Sequence, residues 1–374
     1  MFSPNINVSK LSLTDKIFSM DYILLITILI IGVISCFAMY SIDRGVVDYY
    51  TISHISRFGI FFILFILFSL IRINFWHSLS YFFYFLVLAL LLYVDFFGLT
   101  ASGSKRWISL YFINLQPSEI MKIAIILFLA KYYHRISPEN VNNLRYMILP
   151  LFATAAPVYL VVNQPDLGTS LLITATGFGV IWLAGVRIRY FTYMVVMFVA
   201  TAPFVIAFLK PYQKQRILTF FNPDRDPLGA GYQIIQSKIA IGSGGIWGKG
   251  FLKGSQSYLD YLPEKHTDFI FTLFSEEFGF IGSLILLLLY VVLILRIMKI
   301  AANSRSSFAK YFCYGFALAL FIYISINMSM VLGLLPIVGS PLPIMSYGGS
   351  SMLSVMVGLG IVMSCKIHSN SVVL

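Results

Sequence analysis

Asp268 stands at the head of a long apolar run, in Leu262-Pro263-Glu264-Lys265-His266-Thr267-Asp268-Phe269-Ile270-Phe271. A carboxylate at such a boundary can serve as a general base. It can also simply cap the helix that follows. Lys265 adds a cation three residues earlier. His266 and Glu264 are two possible metal donors in one segment, too few to define a metal site. Glu276 and Glu277 follow within the apolar run, and neighbours on a helix point in different directions. A second constellation is Gln116-Pro117-Ser118-Glu119 with Lys122. Glu119 and Lys122 are three residues apart, so a helix places them on one face. An ionisable residue within a membrane costs about 2.5–3.5 kcal/mol on insertion scales and marks either a pathway or a site. A structural ion pair locking two helices is the other reading. Both turn this face toward the bundle interior.

Further candidates lie on connecting segments. Lys105 and Arg106 beside Trp107 could bind phosphate, Arg106 through its bidentate fork. A headgroup anchor has the same composition. Asp166, in Gln164-Pro165-Asp166-Leu167-Gly168, reads first as the N-cap of the next helix. Arg57 lies about a turn inside an apolar stretch, where a site residue and a snorkelling side chain look alike. Lys214-Gln215-Arg216 adds two cations to a long loop, about 210–267. In that loop Gly231 to Ile241 has the pattern of a short helix lying along a membrane. Gly242 to Gly250 is glycine-rich with one lysine, but it lacks P-loop spacing and reads as a flexible turn.

The elements that position these residues follow from composition. The chain has 374 residues, 59% hydrophobic and only 11% charged. Its mean hydropathy is +0.87. A soluble domain carries roughly 25% charged residues. The deficit excludes a disordered, fibrous or ordinary cytosolic protein. An all-α polytopic membrane protein is expected, one membrane domain over residues 1–374 with about ten transmembrane helices. Stretches free of Asp, Glu, Lys and Arg mark most spans: Tyr22 to Ile42, Ile73 to Val94, Tyr146 to Pro165, Leu167 to Val186, Tyr190 to Leu209 and Phe278 to Leu295. Each approaches the roughly 20 residues a span needs. Tyr311 to Cys365 is uncharged and long enough for two, divided by breakers around Leu335-Pro336 and Pro341-Leu342-Pro343. Two further spans contain charges, one near Ser53 to Ile71 and one near Gln116 to Tyr133.

Lys and Arg cluster at one set of ends, from Lys10 and Lys16 to Lys366. By the positive-inside rule both termini are expected in the cytoplasm, with the loop at 210–267, between spans seven and eight, outside. This accounts for much of the net charge of +11 without nucleic acid. Most of the fifteen carboxylates fall on the outer side, where a site is expected. Three scattered cysteines give neither a disulfide framework nor a metal spacing.

Taken in order, these motifs resemble the SEDS family of bacterial membrane glycosyltransferases along nearly the whole chain. The resemblance is carried by Gly103 to Trp107, Gln116 to Glu119, Gln164 to Gly168, Gly231-Tyr232-Gln233, Leu262-Pro263-Glu264, His266 to Phe269, Pro341-Leu342-Pro343 and Ser346-Tyr347-Gly348-Gly349-Ser350. Gly333 to Pro343 and the ending Gly360 to Ser364 look more like the elongation branch than the division branch. The resemblance implies peptidoglycan polymerisation from lipid II at the outer face of the bacterial cytoplasmic (inner) membrane. It implies an essential aspartate at Asp268, a membrane Glu and Lys at Glu119 and Lys122, and a loop arginine at Arg106. The implied partner is a class B penicillin-binding protein supplying the transpeptidase, within an elongation complex of membrane proteins. Trp107, Gln116, Asp166, Arg216, Lys265, Ser346 and Tyr347 complete the expected substrate-binding set, in contact with the polyprenyl-diphosphate glycan and membrane lipid.

The implied reaction converts an α-linked donor to a β-1,4 glycan, so one inverting displacement of undecaprenyl diphosphate suffices. Asp268 is the expected base for the attacking hydroxyl. Arg106, Lys122, Arg216 or a divalent cation such as Mg or Mn would stabilise the leaving group. Span count alone equally suits a flippase for a lipid-linked sugar, or a scaffold of the cell-wall complex. A flippase has no need of a base at Asp268.

Overall fold

The computed structural model describes residues 12–371 apart from 102–103, 110–113, 209–213, 215–217, 223–228 and 256–263. Arg216 and Leu262-Pro263 therefore lie outside the described residues.

Each of the ten apolar stretches coincides with a helix. After a short α1 (Leu13–Phe18) come α2 (Tyr22–Ile42), α3 (Tyr49–Ser69) and α4 (Ile73–Phe97). Next are α5 (Pro117–His134), α6 (Leu144–Asn163), α7 (Leu167–Leu183) and α8 (Ile188–Phe208). The loop helix α9 (Ala230–Gly244) precedes α10 (Ile270–Asn303), α11 (Ser307–Val331) and α12 (Gly349–Ile367). Among the described residues, seven helices are long and apolar enough to cross a membrane: α2, α3, α4, α6, α10, α11 and α12. α7 is a shorter apolar helix, as is the described part of α8. α5 has the length of a span but holds Glu119, Lys122 and Lys131. Large apolar side chains such as Ile63, Phe82, Phe152, Val196 and Leu288 stand exposed around the bundle. Such a surface fits lipid rather than water.

α5, like α12, departs from that exposure. It packs against α4, α6, α7, α11 and α12, and nearly all its side chains are buried, the charged ones included. Pro117 at its first position fits there because that N–H has no helical partner. The residues that hydrocarbon would reject are thus walled in by five neighbours.

The basic ends gather at one pole of the bundle. Lys16 Nζ donates to Leu70 O at 2.7 Å, and Arg296 pairs with Asp21 at 2.5 Å. Arg305 N donates to Ser369 O at 3.0 Å. Asp21 also caps α2 through Leu24 N.

Two features depart from the sequence reading. Residues between α4 and α5 form a small antiparallel sheet in the order β1 (Leu99–Ala101), β2 (Ser104–Ser109), β3 (Asn114–Leu115). Its register pairs Leu99 with Trp107 and Ile108 with Leu115. These strands are too short for an alternating pattern to stand out in sequence. The second departure is the glycine-rich stretch, which is not a flexible turn. Lys249 N and Gly250 N donate to Glu276 O and Glu277 O, both at 3.0 Å, and Phe280 N donates to Gly245 O at 2.9 Å. α10 is interrupted there, with Gly279 at φ +65°. A Cβ on Gly279 would meet Gly248 N at 2.3 Å, so only glycine permits this approach. The loop backbone takes up the hydrogen bonds that the broken helix releases, as buried irregular backbone requires.

α9 packs on α10 and α11. Ser237 Oγ donates to Val331 O at 2.8 Å and also bonds Thr272 Oγ1 at 2.8 Å. The described part of the long loop is thus folded down onto the bundle. Between α11 and α12 the breakers act as expected, with Gly333 and Gly339 at positive φ.

Candidate functional site

At the pole opposite the basic ends, the bundle encloses a cavity of about 380 Å³. Asp268, Glu119, Asp166, Arg106, Trp107, Gln116 and Tyr347 all line it. They come from the turn before α10, the first turn of α5, the start of α7, strand β2 and the segment before α12. Folding therefore brings together seven expected residues spread over more than two hundred positions.

Asp166 is the N-cap of α7, accepting from Thr169 N at 3.2 Å. It is more than a cap. Its second oxygen accepts from Gln116 Nε2 at 3.0 Å and lies 3.7 Å from Arg106. Arg106 also donates through Nε to Gln164 O at 3.0 Å and through its other arm to Pro165 O. Its guanidinium is thus aimed by backbone carbonyls, with the side chain still about one quarter exposed to the cavity. Gly168 makes this wall possible, because a Cβ there would lie 2.0 Å from Val338 O.

Glu119 and Lys122 form the expected pair at 2.8 Å. Lys122 lies a turn deeper than the cavity floor and lines a small crevice beside it. Its ammonium sits 3.8 Å from the centre of the Tyr323 ring, and Tyr323 Oη donates to Glu119 Oε2 at 3.1 Å.

The turn carrying Asp268 is clasped to the segment before α12. Ser346 Oγ donates to Thr267 O at 2.6 Å and accepts from Leu342 N at 2.7 Å. Tyr347 N donates to His266 O at 2.9 Å. Asn327 Nδ2 donates to Asp268 O at 2.9 Å and to Ser340 O at 2.6 Å. Ser346 thus holds the turn and is not among the lining residues; Lys265, in the same turn, is not either. Glu264 and Thr267 do line the cavity.

Tyr347 is the hub of an aromatic rim. Tyr50 meets His266 at 4.6 Å and Tyr347 at 5.2 Å between ring centres. Arg57 lies over the Tyr347 ring at 4.5 Å, and Ser53 Oγ bonds its hydroxyl at 3.2 Å. Arg57 therefore points into the protein rather than snorkelling outward. Burial holds the His266 imidazole below its usual pKa, with Glu264 opposing it in part and Lys265 adding a smaller lowering.

Sequence reading missed Tyr323, Asn327 and Ser351, and gave Ser350 no role beyond its motif. All four are neutral and lie in the uncharged stretch Tyr311 to Cys365, where span counting looks only for apolarity. Ser350 accepts from Gln116 N at 2.9 Å and donates to Asn114 O at 2.8 Å. The four-residue spacing of Tyr323 and Asn327, which stacks them on one helix face, was the available signal.

Among the described residues, no group of three or more His, Cys, Asp or Glu side chains could hold a metal ion.

Residues 17–371 match the family model described as cell cycle protein, FTSW_RODA_SPOVE. The chain belongs to this family. Within the FtsW/RodA/SpoVE family, it is 47% identical over 287 residues to the peptidoglycan glycosyltransferase MrdB of Escherichia coli (strain K12), covering 76% of this chain and 77% of that one. Its fold aligns with a chain of a solved peptidoglycan synthase complex at a TM-score of 0.81 and 30% identity, over 94% of this chain and 98% of that one. It aligns with the rod shape determining protein RodA of Thermus thermophilus at a TM-score of 0.71 and 25% identity, over 94% and 98%.

Proposed function

We propose that this protein is a peptidoglycan glycosyltransferase of the elongation machinery, polymerising lipid II at the outer face of the bacterial inner membrane. The observation that carries the reading is one polar cavity that unites Asp268, Glu119 and Asp166 with Arg106 at the carboxylate-rich pole. The opposite pole gathers Lys16, Arg296 and Arg305, which supports cytoplasmic termini under the positive-inside rule.

Glycan transfer needs a base for the attacking sugar hydroxyl and positive charge for the departing diphosphate. Asp268 is the base: it lines the cavity from a turn clasped by Ser346 and Asn327. It takes the hydroxyl proton as the oxygen attacks the anomeric carbon and the bond to diphosphate breaks. General-base assistance of this kind is worth roughly 10²–10⁴-fold. Arg106, aimed by two carbonyls, receives the leaving diphosphate, and Lys122 from below offsets the Glu119 carboxylate that would otherwise repel it. The diphosphate also offers sites for a divalent cation such as Mg or Mn, and activity with and without a chelator measures whether one is required.

The partner is a class B penicillin-binding protein that cross-links the product. The likeness to a chain of a solved peptidoglycan synthase complex supports this, and the likeness to a peptidoglycan glycosyltransferase supports lipid II as substrate. Likeness to a rod shape determining protein favours elongation over division. The deciding assay presents lipid II to the full-length protein in vesicles, on the face that bears Asp268. Glycan product supports the enzyme. Translocation of lipid II without product would instead establish a flippase.

A further inference from the structure

We infer that Tyr323 and Asn327 are positioning residues that set the spacing between the membrane carboxylate Glu119 and the loop carboxylate Asp268. The two lie four residues apart on α11, and that spacing stacks side chains on one helix face. Tyr323 is nearly inaccessible and Asn327 wholly so. Tyr323 Oη donates to Glu119 Oε2 at 3.1 Å, while its ring lies under the Lys122 ammonium at 3.8 Å. The same hydroxyl bonds Ser351 Oγ at 3.2 Å, which fixes it from the α12 side. One turn along, the Asn327 amide donates to Asp268 O at 2.9 Å and to Ser340 O at 2.6 Å. Thus one helix face holds both carboxylate-bearing segments, α5 through Tyr323 and the turn before α10 through Asn327.

A span made of lipid-facing and packing residues has no need of this pair. Buried polar atoms are usually hydrogen-bonded, and here Tyr323 Oη and Asn327 Nδ2 find their partners in the two parts of one cavity, while among the described residues Asn327 Oδ1 has none. Neither side chain lines that cavity beside Asp268. Their effect therefore passes through Glu119, Lys122 and the Asp268 backbone. Displacing a reacting group by about 1 Å costs on the order of 100-fold in rate. A spacer of this kind acts on turnover rather than on substrate binding.

The inference rests on Asp268 and Glu119 serving one reaction, so the test includes Asp268→Asn. Full-length wild type, Tyr323→Phe, Asn327→Leu, the double variant and Asp268→Asn are reconstituted in vesicles and supplied with lipid II. Tyr323→Phe keeps the ring over Lys122 and removes a single oxygen. It is expected to lower kcat by roughly ten- to a hundredfold with KM within about threefold. Asn327→Leu is expected to do the same, and the double variant to lose little more than the worse single one, since residues acting as a unit are not additive. Thermal unfolding of each variant is measured alongside. Wild-type kcat in Tyr323→Phe overturns the inference, as does a loss that tracks only the fraction of folded protein. If Asn327→Leu does not fold, Tyr323→Phe decides alone. An inactive Asp268→Asn beside an active Tyr323→Phe defeats the spacer and leaves the site standing. A fully active Asp268→Asn defeats the site itself, and the spacer with it.

Discussion

The outer part of α10 presents two kinds of carboxylate within ten residues. Asp268 precedes the helix and faces a cavity shared with Arg106, Gln116 and Tyr347. Glu276 and Glu277 lie two turns further on, beside the break at Gly279, and are fully enclosed. Glu276 is paired with Lys249 at 2.6 Å and accepts from Ser255 at 3.0 Å. Glu277 accepts from Ser41 on α2. All three are acids near the membrane surface with polar partners. Enclosure separates them: the loop 244–255 covers the glutamates with its own backbone, whereas Asp268 opens onto room for a substrate. Burial and charge pairing mark structural and chemical acids alike, and only the cavity tells them apart.

Breaking each region should have opposite signatures. The largest effect is expected from Asp268→Asn, a loss of polymerisation of at least about 100-fold with thermal unfolding close to wild type. Lys122→Met comes next. It removes the partner of Glu119 inside the bundle and is expected to abolish activity, while stability falls by about 3–5 kcal/mol, the usual cost of stranding a buried charge. Activity normalised to folded protein separates the two contributions. In the enclosed region the order reverses. Lys249→Met strands Glu276 and is expected to destabilise by a similar 3–5 kcal/mol with polymerisation per folded molecule unchanged. Gly279→Ala forces a Cβ onto the loop backbone and is expected to cost about 2–4 kcal/mol, read by thermal unfolding.

A smaller effect comes from pH at the cavity rim. His266 has its pKa lowered in the fold, chiefly by burial. The unfolded chain therefore binds a proton first, near pH 6.5. Stability is then full above that value and declines as pH falls from it toward the folded-state pKa. Unfolding followed from about pH 7.5 to 5.5 should show a decline that His266→Gln reduces.

Much of the scaffold was legible because membranes impose a coarse code. Gaps between charged residues are helices here, from Tyr22–Ile42 to Ser307–Val331. The three-residue spacing of Glu119 and Lys122 foretold their pair, and helix geometry foretold that Glu276 and Glu277 diverge. The cap role of Asp166 was legible because it is local. Its links to Gln116 and Arg106 were not, since they join positions fifty and sixty residues apart. Tyr323 and Asn327 escaped notice because a neutral polar residue in an uncharged stretch gives no contrast against its background. The break at Gly279 was hidden for another reason: it depends on the loop at 244–250, and neither segment shows by itself why the other bends.

The most direct test sets the two regions side by side. Asp268→Asn and Glu277→Gln each neutralise one carboxylate without changing its size, and both are assayed for glycan formation from lipid II in vesicles. Asp268→Asn is predicted to make almost no glycan while unfolding like wild type, and Glu277→Gln to polymerise at the wild-type rate per folded molecule. Wild-type polymerisation by Asp268→Asn, or its loss in a fully folded Glu277→Gln, would contradict the account.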